Sequence, residues 1–184
     1  MAKRPHDSVL HLDFRFSLLI LLFSSGFLVG TIVSAIGHTG VSTQLQPGFS
    51  VVFSGFLFEF IPFLLVVYLF GMTFLGVAVI PAALFLKGFL IGAPQVSLLI
   101  HSGTAMYIRH SVTYLPAAAM CSAVLIAFSV QALSLSFKFF RSVFGKADGI
   151  STASYGVKFL TALMLCIAFG LFRCLCLFSL QIFS

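Results

Sequence analysis

Glu59, Lys87, Arg173, His38, His101 and His110 are the side chains that could do ionic, acid–base or metal chemistry from within or beside long apolar runs. Lys87 is the sharpest case. It lies deep in "GMTFLGVAVIPAALFLKGFLIG", residues 71–92, where nearly every neighbour is apolar. A charge at the centre of a bilayer costs about 2.5–3.5 kcal/mol in a spanning helix, so this lysine must find water, a headgroup or a partner.

Catalytic sets are hard to assemble from the remaining residues. Asp7, Asp13 and Asp148 are expected on one side of a membrane and the three histidines on the other. A Ser–His–Asp relay needs direct hydrogen bonds among its members. Glu59 is the lone acid expected on the histidine side, which leaves no carboxylate pair for general acid–base work. A phosphate-cradling glycine loop, an H-E-x-x-H pair and nucleotide motifs are missing from the sequence. The histidines share a side, but a metal site needs imidazoles converging on one point, and solvation at the interface is the expectation. The residues therefore point away from catalysis, and no cofactor or metal is expected.

The elements that must hold these groups are apolar helices. Of 184 residues, 60% are hydrophobic and only 8% charged, against about 25% charged in a soluble domain. Mean hydropathy is +1.18. A chain of this kind cannot cover a water-facing surface, and its partner is the lipid bilayer. The net charge of +6 follows from topology and does not imply nucleic acid. Cys121, Cys166, Cys174 and Cys176 all lie in apolar stretches without a C-x-x-C pair, and are expected to act as small hydrophobes between helices.

Five segments approach the ~20 residues needed to cross a bilayer core: about 17–37, 59–80, 82–101, 112–136 and 157–182. They are continuously apolar rather than alternating, so the fold class is an all-α polytopic transmembrane bundle forming one domain. The first segment is too long for a secretory signal and is expected to be an uncleaved anchor. Lys3, Arg4, Arg15, Lys138, Arg141, Lys146 and Lys158 fall on one side and Arg109 on the other. By the positive-inside rule the N-terminus is cytoplasmic and the C-terminus outside, as expected for a multi-pass protein of the plasma membrane. The Phe49, Phe53, Phe56, Phe60 series has helical spacing. It fits either a short interfacial helix or the beginning of the second span.

Pro81 lies near the middle of the unbroken apolar run 61–100, and a residue without an amide donor favours a hairpin corner there. Lys87 would then stand about 9 Å up the third helix at 1.5 Å per residue and snorkel to the headgroups. Gly88 and Gly92 form a G-x-x-x-G face above it, and Gly26 and Gly30 form another in the first span. Small residues at this spacing let helix backbones approach closely in lipid.

The pattern Gly71-x4-Gly76-x10-Lys87-Gly88-x3-Gly92 resembles the signature of the stage II sporulation protein M family. "GFLVGTIVSA" in the first span is similar to that family's opening helix. "RHSVTYLPAAA" resembles an H-G-x-x-E-L-P-A element of the wider superfamily, matched at His110, Leu115, Pro116 and Ala117. Ser111 and Tyr114 stand where that element has glycine and glutamate. The resemblance covers nearly the whole chain. It implies a non-enzymatic scaffold acting in endospore formation, during engulfment of the forespore, which holds the peptidoglycan-degrading stage II sporulation proteins D and P at the membrane.

A second function class rests on the residues alone. Broken helices and intramembrane charges often line ion or substrate pathways, so a small transporter or channel subunit for an ion or anionic substrate is the alternative. Homo-oligomerisation would offset its small size. Arg173 has two expected arrangements, snorkelling to the outer headgroups or an ion pair with Glu59, since both residues lie in the outer half of their spans.

Overall fold

The computed structural model describes residues 5–37, 49–143 and 153–182. All four elements are helices: α1 (Pro5–Gly37), α2 (Phe49–Gly71), α3 (Gly76–Val143) and α4 (Ala153–Ile182). Five stretches are long and apolar enough to cross a membrane: Phe14–Ile36, Val51–Gly71, Gly76–Ile100, Gly103–Val143 and Ser154–Ser179. The chain is therefore an all-helical, multi-pass membrane protein. Two of these crossings belong to α3. Gly103 interrupts it with φ 78° and ψ 165°, a backbone region open to glycine and almost nothing else. The chain reverses there. Ser136 Oγ, far along the second arm, donates to the Thr73 carbonyl at 2.7 Å, which brings the end of that arm back to the start of the first.

The corner between α2 and α3 corrects an expectation. It falls at residues 72–75, not at Pro81. Two glycines bracket it, Gly71 and Gly76, and Thr73 supplies its polar groups: its amide donates to the Phe70 carbonyl at 3.0 Å and its hydroxyl to the same oxygen at 3.0 Å. Pro81 is the sixth residue of α3. It forgoes one helical hydrogen bond there and the helix continues, as prolines in membrane helices are able to do. The span boundaries move accordingly. The second span starts at Val51, eight residues before the expected 59, so the phenylalanine series belongs to the crossing helix itself. Phe56 and Phe60 point inward, each 1% exposed. The fourth span starts at Gly103, nine residues before the expected 112.

Contacts fix the direction of each helix. Gly26 and Gly30 of α1 lie against the backbone of Phe85 and Phe89, while Gly88 and Gly92 lie against Phe23 and Phe27. Numbers rise together on both sides, so α1 and the first arm of α3 run parallel. Each glycine face seats on the other helix's backbone, and a methyl added at any of the four would run into a carbonyl. This is the close approach that small residues permit in lipid. α4 opposes α2: Tyr155 Oη donates to the carbonyls of Val67 and Tyr68, both at 3.2 Å, while Gly170 meets Phe56 at the other end. The start of α1 and the start of α4 thus share one end of the bundle with the Thr73 corner, and α4 finishes at the opposite end.

The second arm of α3 is the central helix, touching α1, α2 and α4 through the core. Its 41 residues measure about 60 Å at 1.5 Å per residue, against about 30 Å of hydrocarbon. Residues 137–143 run past the Thr73 corner, where Arg15 Nη1 donates to Ser134 Oγ at 3.0 Å and its guanidinium lies 4.9 Å over the Phe137 ring. Cys121, Cys166 and Cys174 are buried free thiols. Cys121 Sγ contacts the Cys166 carbonyl at 3.9 Å, a packing role.

Candidate functional site

Two apolar clusters divide the bundle core along its length. One, toward the Thr73 corner, holds Leu64, Ile80, Leu84 and Leu125; the other, toward Gly103, holds Phe56, Phe60, Ile91, Tyr114 and Cys121. Lys87 sits at the seam between them. Leu84, Lys87, Ile91, Gln95 and Leu98 form the buried face of the first arm of α3 at spacings of three and four, so helical geometry alone turns the lysine inward. Its depth follows from the true corner. Eleven residues separate it from Gly76, about 16 Å at 1.5 Å per residue, nearly twice the expected height. It is 0% exposed and does not snorkel.

The charge is met by α2. Lys87 Nζ lies 3.1 Å from Glu59 Oε1 and donates to the Glu59 backbone carbonyl at 2.9 Å. The Tyr114 hydroxyl, from the second arm of α3, donates to the same Oε1. Aromatic faces complete the enclosure: Nζ stands 3.7 Å from the centroid of Phe60 and 5.5 Å from that of Phe63. Each such contact adds roughly 0.5–2 kcal/mol of attraction. The Glu59 side chain is 29% exposed against 0% for Lys87, so part of the acid's side chain reaches the surface of the bundle while the lysine does not.

Arg173 joins this group without forming an ion pair with Glu59. The ion pair of Glu59 within 4 Å is with Lys87, not with Arg173. The Arg173 guanidinium instead lies 4.8 Å over the ring of Tyr114 and 5.2 Å over that of Phe56, on a residue that is half-buried. Its buried Nε–H has no hydrogen-bond partner. His110 stacks on Tyr114 with ring centroids 5.1 Å apart, within electrostatic reach of both Arg173 and Glu59. Three helices therefore contribute one acid, an ammonium, a guanidinium, a phenol and an imidazole to one level of the bundle. No carboxylate is supplied at position 114 itself, yet one sits on its hydroxyl, brought by α2.

The remaining motif residues are packing residues. Gly71 and Gly76 flank the corner, where an added methyl would meet Ala132 Cβ at 2.9 Å and Ser136 Oγ at 2.8 Å respectively. Pro116 lies in the second arm of α3 with its ring exposed. His38 and the side chain of His101 fall outside the described residues, so the structure brings together only His110 of the trio with the ionic cluster. Among the described residues no group of three or more His, Cys, Asp or Glu could hold a metal ion.

No family model, curated protein or solved structure matches this chain. Its function must therefore be argued from the cluster and the glycine faces.

Sequence reasoning missed the partners of Lys87, although the signal was present. Glu59 lies fourteen residues before Thr73 and Lys87 fourteen after it. In an antiparallel hairpin turning at Thr73 the two must face one another at equal height. Placing the corner at Pro81 hid that symmetry.

Proposed function

We propose that this chain is a non-enzymatic scaffold of the plasma membrane, with its N-terminus cytoplasmic and α4 ending outside. What supports the reading most is where its polar and glycine residues are spent: Lys87 and Glu59 on a strap between α2 and α3, and Gly26, Gly30, Gly88 and Gly92 on a parallel α1–α3 contact. These devices fix helix positions and leave the outer helix faces to lipid or partners. Arg15, Lys138, Arg141 and Lys158 collect at the end of the bundle assigned to the cytoplasm, in keeping with the positive-inside rule. The resemblance to the stage II sporulation protein M family adds the biological setting: endospore formation and engulfment, with stage II sporulation proteins D and P as peptidoglycan-degrading partners. In that reading the motif glycines and Lys87 are the residues that build the α2–α3 corner and seat it on α1. Affinity purification from the native host tests it. A membrane-bound peptidoglycan hydrolase should co-purify with the wild type and be lost on Gly88→Leu. Recovery of no wall-degrading enzyme would contradict the proposal.

A small transporter or channel subunit is the second reading, favoured by a specific observation. The cluster gathers two basic side chains around one carboxylate, and the Glu59 side chain is partly exposed at the bundle surface. Charges with such access mark pathways in membrane proteins. Ion flux by the purified protein in sealed vesicles, abolished by Glu59→Gln, would support it over the scaffold.

A further inference from the structure

The end of the bundle at the Thr73 corner brings two guanidinium groups together from different helices. Arg15 of α1 lies against the second arm of α3, donating to Ser134 Oγ and stacking over Phe137. Arg141 stands four residues beyond Phe137, one turn further along the same face of that helix. The two arginines are within electrostatic reach of one another, and like charges repel. Lys138, three residues before Arg141, adds a third cation, and both of these side chains are exposed. Among the described side chains the one ion pair is that of Glu59 with Lys87, so no carboxylate there answers this group.

Depth points to the counter-charge. Ser136 is tied to Thr73, in the corner that joins two spans, so the hydrocarbon boundary falls near both. Arg141 lies five residues past Ser136, about 7 Å at 1.5 Å per residue. The headgroup layer on each side of a bilayer is about 5–7 Å deep. Arg141 therefore reaches the depth of the lipid phosphates, and Arg15, level with Ser134 and Phe137, stands at the inner edge of that layer. Leu18, one turn deeper than Arg15 on the same face of α1, is exposed. Apolar surface for an acyl chain thus continues directly from the cations.

We propose that Arg15 and Arg141 bind the phosphate of an anionic phospholipid between α1 and the second arm of α3. A phosphodiester carries one negative charge and two unesterified oxygens, so it accepts from both guanidinium groups at once. Lys138 adds attraction for a headgroup without a cation of its own. The bound phosphate removes the repulsion between the arginines and holds α1 to the central helix at this end, as the glycine faces hold it to the first arm. Lys158 belongs to the same end of the bundle but not to the site, since α4 and α1 do not meet among the described residues. Such a site serves either orientation of the bundle and either reading of its function.

Thermal unfolding of the purified full-length chain in detergent tests this, with phosphatidylglycerol or phosphatidylcholine added in increasing proportion. A ligand that binds the folded state raises the unfolding midpoint in a saturable way. Phosphatidylglycerol should raise the wild-type midpoint well beyond the effect of phosphatidylcholine. Arg141→Gln, at an exposed position, should fold normally and move the half-point to roughly tenfold more lipid, as loss of one charge-assisted hydrogen bond requires. Arg15→Gln should do the same, while Arg15→Lys, which keeps the charge without the forked donors, should recover only part of the response. Lys158→Gln removes an equal charge from the same end and should leave the half-point where it is. Equal effects of the two lipids, or a half-point unmoved by Arg141→Gln, would overturn the proposal. So would an equal shift in Lys158→Gln, which marks a general attraction of anionic lipid to a basic surface. A rise produced by sodium glycerol phosphate alone would overturn it too, because the bound anion would then be a soluble phosphate.

Discussion

Glu59 and Lys87 stand at equal heights on the two sides of the Thr73 corner and meet at 3.1 Å. The link joins α2 to α3 in the interior of the bundle, where an isolated charge is expensive. It explains how an apolar run tolerates a lysine: the side chain has a carboxylate, a backbone carbonyl and two aromatic faces in place of water. Such a pair contributes positional specificity more than net stability, because desolvation offsets much of the attraction.

The parallel α1–α3 crossing depends on missing side chains. Gly26→Ala should destabilise the protein, since its methyl would strike the Phe85 carbonyl. Gly55→Ala provides the contrast, as nothing lies within 4 Å of a methyl there. That change should be neutral or stabilising by up to about 1 kcal/mol, the difference in helix propensity. Unfolding midpoints of the two variants in one detergent check both signs.

Gly103 is a backbone requirement of a different sort. Space around it is open, yet its φ of 78° is one that side chains disfavour. Gly103→Ala should cost about 1–3 kcal/mol without creating any clash. The loss should show as a lower unfolding midpoint with unchanged helix content.

Tyr155 ties the start of α4 to α2. Its ring lies 5.3 Å from both Tyr68 and Phe128, and its hydroxyl donates to two carbonyls. Tyr155→Phe should lose about 0.5–1.5 kcal/mol, the net worth of a hydrogen bond. Tyr155→Ala should lose roughly 3–5 kcal/mol, as large aromatic truncations do. A chemical-denaturation series separates the two.

The proposed orientation is checked by reporter tags. A tag before Pro5 should be shielded in intact cells, and one after Ile182 should be accessible. Both tags in one compartment would require an even number of crossings.

Much of this architecture was legible from residue types. Long apolar runs gave five spans because hydrocarbon thickness leaves little freedom in helix length. Gly26, Gly30, Gly88 and Gly92 announced a close crossing, although their spacing could not say that the two helices are parallel. Reversals were harder. Pro81 had the stronger local signature of a break, but one lost hydrogen bond does not end a helix, whereas Thr73 between Gly71 and Gly76 could close a turn. Gly103 reverses the chain with no polar loop around it, so residues 102–111 offered no sign that they stay helical. The Glu59–Lys87 link followed from the corner, and the Arg173 stack on Tyr114 from tertiary packing that no local pattern encodes.

A double-mutant cycle at Glu59 and Lys87 tests the central claim most directly. Lys87→Met and Glu59→Gln should each lower stability, by about 3–5 kcal/mol where a buried partner is left alone. The double variant should recover most of that loss, because glutamine still accepts from Tyr114 and neither member of the pair is left charged without the other. Losses that simply add in the double variant would show that the two residues act independently, and the strap between α2 and α3 would have to be abandoned.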